Sequence, residues 1–202
     1  MAIRRSTTLE GYIRRGQAPV SLPLWLAAHV DFRSSYSSHE ERMRLAIRLS
    51  ELNVRFKTGG PFGAAIFDRR TSRLLGVGVN RVVPTHDPTA HAETTAFRVA
   101  LGFLRNFSFQ EVGIAALLYS SADPCGMCCT ATLWSGVSHL YAGASRADVE
   151  RIGFDEGLRP RNWRHLLNRR GVQVTTGLLR AEAAAVLRTY AGLVYNGRRR
   201  SR

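Results

Sequence analysis

Apolar and polar positions follow two different periods along this chain, and each switch marks an element. After Ser38, Glu40 and Glu41, the apolar residues Met43, Leu45, Ile47 and Leu49 recur among polar neighbours as far as about Phe56. That pattern predicts an amphipathic helix capped by Ser38. The run 58–61, Thr-Gly-Gly-Pro, is a turn. Two short apolar runs, Phe62 to Phe67 and Leu74 to Val79, flank a polar turn and predict a β-hairpin. Asn80 to Thr89 reads as a loop, and Ala90 to Phe103 has helical spacing through Ala92, Ala96, Val99 and Ala100. Gly113 to Ser120 and Ser138 to Ala144 are continuous apolar runs, as strands buried on both faces are. Between them, Cys125 to Trp134 follows Pro124 as a short helix. Ala147 to Ile152 is a helical turn, Trp163 to Arg169 a helix stopped by Gly171, Val172 to Thr176 a strand, and Arg180 to Tyr190 a last helix. Strands that alternate with helices in this way predict an α/β protein with a mixed sheet covered on both faces.

Residues 1–37 fit neither period and read as an irregular, Arg-rich N-terminal extension, which leaves 38–202 as one domain with a C-terminal helix and tail. The chain has 202 residues, ample for one core without disulfides, and 45% apolar content, which excludes disorder throughout. Its formal charge is +14, and of the 29 basic residues only Lys57 is lysine. Such an excess keeps RNA among the candidate partners, and the terminal Arg4, Arg5, Arg14, Arg15, Arg198, Arg199, Arg200 and Arg202 carry part of it. The stretch Arg159, Arg161, Arg164, Arg169 and Arg170 reads as a solvated helix face, and Trp134 and Trp163 read as core. No run reaches the roughly 18 apolar residues of a membrane span. Three cysteines form no secreted disulfide framework, so the expectation is a soluble cytoplasmic protein with reduced thiols.

Two short motifs carry the chemistry, His91-Ala92-Glu93 and Pro124-Cys125-Gly126-Met127-Cys128, and each opens a predicted helix. Cys125 and Cys128 are three residues apart, so both thiols lie on one helix face and can share one ion. A helix N-terminus favours the thiolate, the form that binds zinc. His91 adds a neutral nitrogen. Three protein ligands leave one open position, as in catalytic rather than structural zinc sites. Glu93 lies two residues from a ligand, where a carboxylate can act as both base and acid. Cys129 should point about 100° away from Cys128 on the helix and reads as a small buried residue. In this order the two motifs match the signature of zinc nucleobase deaminases.

At these residues, and from about Gly59 onward, the chain resembles the cytidine-deaminase-like superfamily. The resemblance implies a three-layer α/β/α fold with a five-stranded mixed sheet, one zinc per subunit on His91, Cys125 and Cys128, proton transfer by Glu93, and a homodimer. Residues 86–93 (His-Asp-Pro-Thr-Ala-His-Ala-Glu) look like both bacterial guanine deaminases and bacterial tRNA adenosine deaminases. The run 153–156, Gly-Phe-Asp-Glu, resembles the guanine deaminases, as do Val174 to Leu179 and Val194-Tyr195-Asn196 in the branch that also accepts ammeline. By that resemblance Glu156 is a second catalytic acid, and Phe62, Asn80, His91, Asp155 and Tyr195 contact a nucleobase substrate. Asp123 stands where that family commonly has Glu.

The leading expectation is a hydrolase that converts guanine, ammeline or a related aminated heterocycle, with guanine giving xanthine and ammonia. A tRNA adenosine deaminase shares the zinc chemistry and suits the charge; the 153–156 run argues against it. A cytosine or cytidine deaminase and a non-catalytic zinc-stabilised RNA-binding module are the other readings. The bland alternatives are a core aromatic at Phe62, a self-capping turn at Asn80, and a solvated acid at Glu156.

Overall fold

The computed structural model describes residues 8–14 and 21–197. Arg4, Arg5, Arg15, Arg198, Arg199, Arg200 and Arg202 lie outside them, as does the side chain of Arg14. Five strands form one mixed sheet in the order β2-β1-β3-β4-β5. The predicted hairpin is β1 (Gly63–Asp68) with β2 (Leu74–Val79), Gly63 standing opposite Val79. On the other side of β1 runs β3 (Ala116–Ala122), antiparallel to it. Both β4 (His139–Ala144) and β5 (Gln173–Thr176) then run parallel to β3. Parallel neighbours need crossovers. These are α6 (Gly126–Ser135), and then α7 (Arg146–Arg151) with α8 (Trp163–Asn168).

Side chains alternate across the pleat, which gives two buried layers. Ala65, Phe67, Leu117 and Tyr119 face α3 (His39–Arg55) and α9 (Arg180–Arg188), where Met43, Leu49 and Leu187 are buried. Ala64, Ile66, Leu118 and Leu140 face α5 (Ala92–Leu104), α6 and α8, through Ala92, Ala96, Ala100 and Trp163. The result is the expected three-layer α/β/α sandwich. Small residues let α5 lie against β2: a Cβ on Gly78 would fall 2.2 Å from the Ala92 carbonyl oxygen. That contact fixes the first turn of α5, and with it His91 and Glu93.

Ser38 caps α3 as its sequence predicts, in a reciprocal capping box with Glu41. Three expectations change. Residues 1–37 are not irregular throughout, because α1 (Leu9–Arg14) and α2 (Trp25–His29) form there. Ile13, Trp25, Leu26 and Val30 join the core layer of α3, so burial of a few large apolar side chains orders a stretch too short to show a period. The loop 80–89 contains one helical turn, α4 (Val82–Thr85), ended by His86 in the left-handed conformation. The third strand starts at Ala116 rather than Gly113, whose φ of 68° belongs to a turn. It runs on to Ala122, and the Asp123 amide continues the ladder to the Ala144 carbonyl at 2.7 Å.

Candidate active site

The C-terminal end of β3, the start of β1 and the end of β2 lie at one edge of the sheet, because β1 is antiparallel to both neighbours. Here the chain leaves β3 through Asp123 and Pro124 and enters α6, while α5 starts beside it. Cys125 and His91 are the N-cap residues of these two helices, both with extended backbone and neither spending its side chain on the cap. Their side chains are therefore free to meet. His91 Nδ1 lies 3.5 Å from Cys125 Sγ and 3.6 Å from Cys128 Sγ. A tetrahedral zinc with Zn–S near 2.3 Å and Zn–N near 2.05 Å requires an N···S edge of about 3.55 Å. The trio fits that ion as it stands, and among the described residues it is the group of three or more metal-capable side chains.

Electrostatics suit the same ion. Hydrogen bonding from Cys128, together with His91, pulls the Cys125 thiol down to about 4 against the effect of burial, so Cys125 is the thiolate of the pair. The one proton of Cys128, shared between Cys125 and Glu93 as acceptors, is held on by those contacts and by burial. Binding a divalent cation removes that proton. Cys129 takes no part: its Sγ turns toward the Pro124 carbonyl at 3.8 Å, and burial raises its thiol to about 12.

Glu93 is 6% exposed, and burial followed by the Cys125 charge raises its carboxyl. Its Oε1 accepts from Ser120 Oγ at 3.1 Å and its Oε2 from the Cys128 thiol at 3.4 Å. A narrow pocket opens over this carboxyl, walled by Phe62, Asn80, Phe154, Glu156 and Tyr195. Phe62 and Phe154 meet edge to face at 5.1 Å, and Tyr195 reaches in from the C-terminal segment with its ring 5.3 Å from that of Phe154. Asn80 is 1% exposed; its Oδ1 accepts from the Gly60 amide at 3.3 Å and its Nδ2 donates to the Tyr195 hydroxyl at 2.7 Å. Glu156 is not a solvated acid: it is 6% exposed, and burial, then the charges of Cys125 and Glu93, push it up to about 8. Burial thus favours its protonated form.

Asp155 does not line this cavity. The glycine two residues on lets its Oδ1 close a local turn onto the Gly157 amide at 2.9 Å, and its carbonyl accepts from Asn196. The structure adds Phe154, Asp123 and Asn196 to the wall. One Asp123 oxygen is buried without a hydrogen-bond partner.

Arg159 belongs to no solvated face. Its side chain is 4% exposed, lies 4.6 Å over the Trp163 ring, approaches Asp123 at 3.7 Å and donates to the Pro124 carbonyl at 2.5 Å. It thus ties the Glu156 loop to the residue preceding Cys125. Gly126 makes the same junction close, since a Cβ there would lie 2.0 Å from the Leu158 carbonyl oxygen. Trp134, expected in the core, is 74% exposed, because α6 turns its Cys128, Cys129, Thr132 and Ser135 stripe inward.

A three-ligand zinc site with an open position, a buried carboxylate beside it and a small aromatic cavity define a zinc-dependent hydrolase acting on the C–N bond of a cyclic amidine. The family model for the cytidine and deoxycytidylate deaminase zinc-binding region matches residues 36–144. The chain belongs to that family. It is 34% identical over 119 residues to the guanine deaminase of Bacillus subtilis, covering 59% of this chain and 72% of that protein. It is similar to the solved guanine deaminase of Nitrosomonas europaea, with 43% identity and a TM-score of 0.80 over 84% of this chain and 93% of that one. A tRNA-specific adenosine deaminase of Haemophilus influenzae is 31% identical over 75% of this chain and 82% of its own length.

Proposed function

We propose that this chain hydrolyses the 2-amino group of free guanine, releasing xanthine and ammonia. The observation that carries the reading is a second acid, Glu156, buried in the same cavity that Glu93 opens into. The two relatives named as guanine deaminases support the choice of base. Phe62 offers an aromatic wall to a planar ring, and Asn80 Nδ2 can exchange the Tyr195 hydroxyl for an acceptor on the edge of a base.

When bound on His91, Cys125 and Cys128, zinc supplies the Lewis acidity that lets water attack at neutral pH. Glu93 takes the first water proton and gives it to the ring nitrogen N3 as oxygen adds to C2. The departing amine takes the proton held by Glu156. The remaining hydroxyl proton replaces it as the C2 carbonyl of xanthine forms, so one water yields the oxygen, one N–H and ammonia. A free base suits the enclosure better than a base in RNA. Tyr195 covers the cavity from the C-terminal segment, and an RNA strand would have to displace it.

Ammonia release by zinc-loaded protein tests the reading against guanine, ammeline, adenine, cytosine, cytidine and an anticodon stem-loop. Turnover of guanine is expected. Inert guanine beside a deaminated stem-loop would overturn it.

The same reading includes a cytoplasmic homodimer. No helix among the described residues is long and apolar enough to cross a membrane, and the cysteines are free thiols. Met127 and Trp134 are exposed on the outer side of α6, as is Leu158, whose carbonyl lies against the start of that helix. Light scattering should give twice the chain mass, and W134E should reduce it to one.

A further inference from the structure

The N-terminal segment 21–30 has no place in the chemistry above, yet a polar relay runs from it to the cavity wall. Trp25 Nε1 donates to Thr58 Oγ1 at 2.9 Å, and the Thr58 hydroxyl donates to Asn53 Oδ1 at 2.8 Å. Asn53, fully buried, spends both hydrogens of its amide on carbonyls, that of Gly60 at 2.8 Å and that of Asn80 at 2.9 Å. Every donor points the same way along this chain, so each bond polarises the next. The segment is anchored at both ends: Trp25 stacks on Phe56 at 5.7 Å, Leu26 is fully buried, and Arg81 donates to Ser21 O at 2.9 Å and to Thr58 O.

The far end of the relay matters because of how Asn80 is held. The Gly60 amide fixes Asn80 Oδ1, which turns Nδ2 toward the cavity. The two turns already touch, since a Cβ on Gly59 would fall 1.8 Å from the Asn80 carbonyl oxygen. Any shift of Gly60 relative to Asn80 therefore turns the amide. Asn53 is the side chain that bonds both carbonyls, and Thr58 and Trp25 orient Asn53.

We propose that segment 21–30 is a brace for the substrate-reading amide, with Trp25, Thr58 and Asn53 as positioning residues that set substrate affinity from outside the cavity. The proposal rests on the reading of Asn80 as the group that binds the base.

The experiment is steady-state guanine turnover by the zinc-loaded full chain and by W25F, T58V, T58S, N80A and the W25F/N80A double variant. W25F keeps an aromatic ring against Phe56 and removes the donor together with the five-membered ring of the indole, so the T58V and T58S pair is the cleaner test of the hydrogen bonds. Loss of one neutral hydrogen bond in W25F, and of two in T58V, should raise KM for guanine roughly 2- to 10-fold, more in T58V, with kcat and zinc content nearly unchanged. T58S, which keeps the hydroxyl, should restore wild-type KM. With Asn80 truncated, W25F should add nothing further. KM raised by N80A but untouched by W25F and T58V would overturn the brace, as would a W25F effect that adds in full to N80A. N80A without effect on KM would remove the reading of Asn80 and the brace with it. If W25F destabilises the fold, the T58V and T58S pair decides the matter alone.

Discussion

Replacing Glu156 by Gln separates the energetic and catalytic consequences of a buried acid. The side chain keeps its shape and loses its proton equilibrium. In the folded chain Glu156 is pushed up to about 8 from an ordinary 4.5, first by burial and then by the charges of Cys125 and Glu93. A carboxyl with a raised folded pKa costs nothing below 4.5, and its cost grows as pH rises from there toward 8. At pH 7 this amounts to about 3 kcal/mol, and zinc, by offsetting the Cys125 thiolate, brings the holoprotein below that figure. E156Q should therefore match the wild type near pH 5 and exceed it increasingly toward pH 8.5. For a chain of this size each kcal/mol moves Tm by roughly 2–4 °C, so the gap should reach several degrees. Over the same range kcat for guanine should fall about 10²- to 10⁴-fold, the usual worth of a general acid. Thermal unfolding across the pH series and ammonia release on the same samples provide both readouts. A Tm difference independent of pH would refute the buried neutral acid. A kcat within a few-fold of wild type would refute its role as proton donor.

The zinc-proximal carboxyl gives a catalytic loss of the same order: E93Q should lower kcat by about 10²- to 10⁴-fold while metal analysis still finds one zinc per chain. Cys125→Ala should lose zinc and Tm together, because ligands drawn from two helices make metal affinity part of folding free energy; a fully metallated, equally stable variant would contradict the ligand set. Asp148 holds α7 to α9, accepting from Arg180 Nε at 2.7 Å and from the Ser145 hydroxyl at 2.7 Å, and its carboxyl sits well below the usual range. Its contribution is complete above its ordinary value of 3.8 and disappears as pH falls below it. D148N should thus lose about 1–3 kcal/mol at pH 7, read by denaturant unfolding, and the difference should shrink in acid.

Elements whose physics is local were legible in the sequence. Ser38 and Glu41 write a capping box, and α3 starts where they place it. The hairpin follows from two apolar runs around a polar turn, and the zinc ligands from motif spacing. What escaped depends on packing across long sequence separations. Trp25, Leu26 and Val30 are ordered by the α3 layer, and nothing within residues 21–30 repeats often enough to announce it. Trp134 shows the opposite case: α6 is apolar on both sides, so composition could not say which face turns inward. Asp155 and Glu156 are neighbours in one loop, and only the Gly157 turn decides that Glu156 enters the cavity while Asp155 closes on the backbone.

Arginine shows why net charge was a poor guide to the chemistry. The excess of +14 suggests an anionic partner, and on exposed faces it tells little more. Arg159 works in the other direction. At 4% side-chain exposure a guanidinium persists only with compensation, and it finds an aromatic face, a carbonyl and the Asp123 carboxylate. Its charge in turn lowers the pKa of both Glu156 and Asp123 against the effect of burial. Without it, two buried acids beside a thiolate would hold their protons more firmly. One arginine thus joins the Glu156 loop to the metal-binding turn and opposes the upward shift of the acid between them, because the fold has taken it out of water.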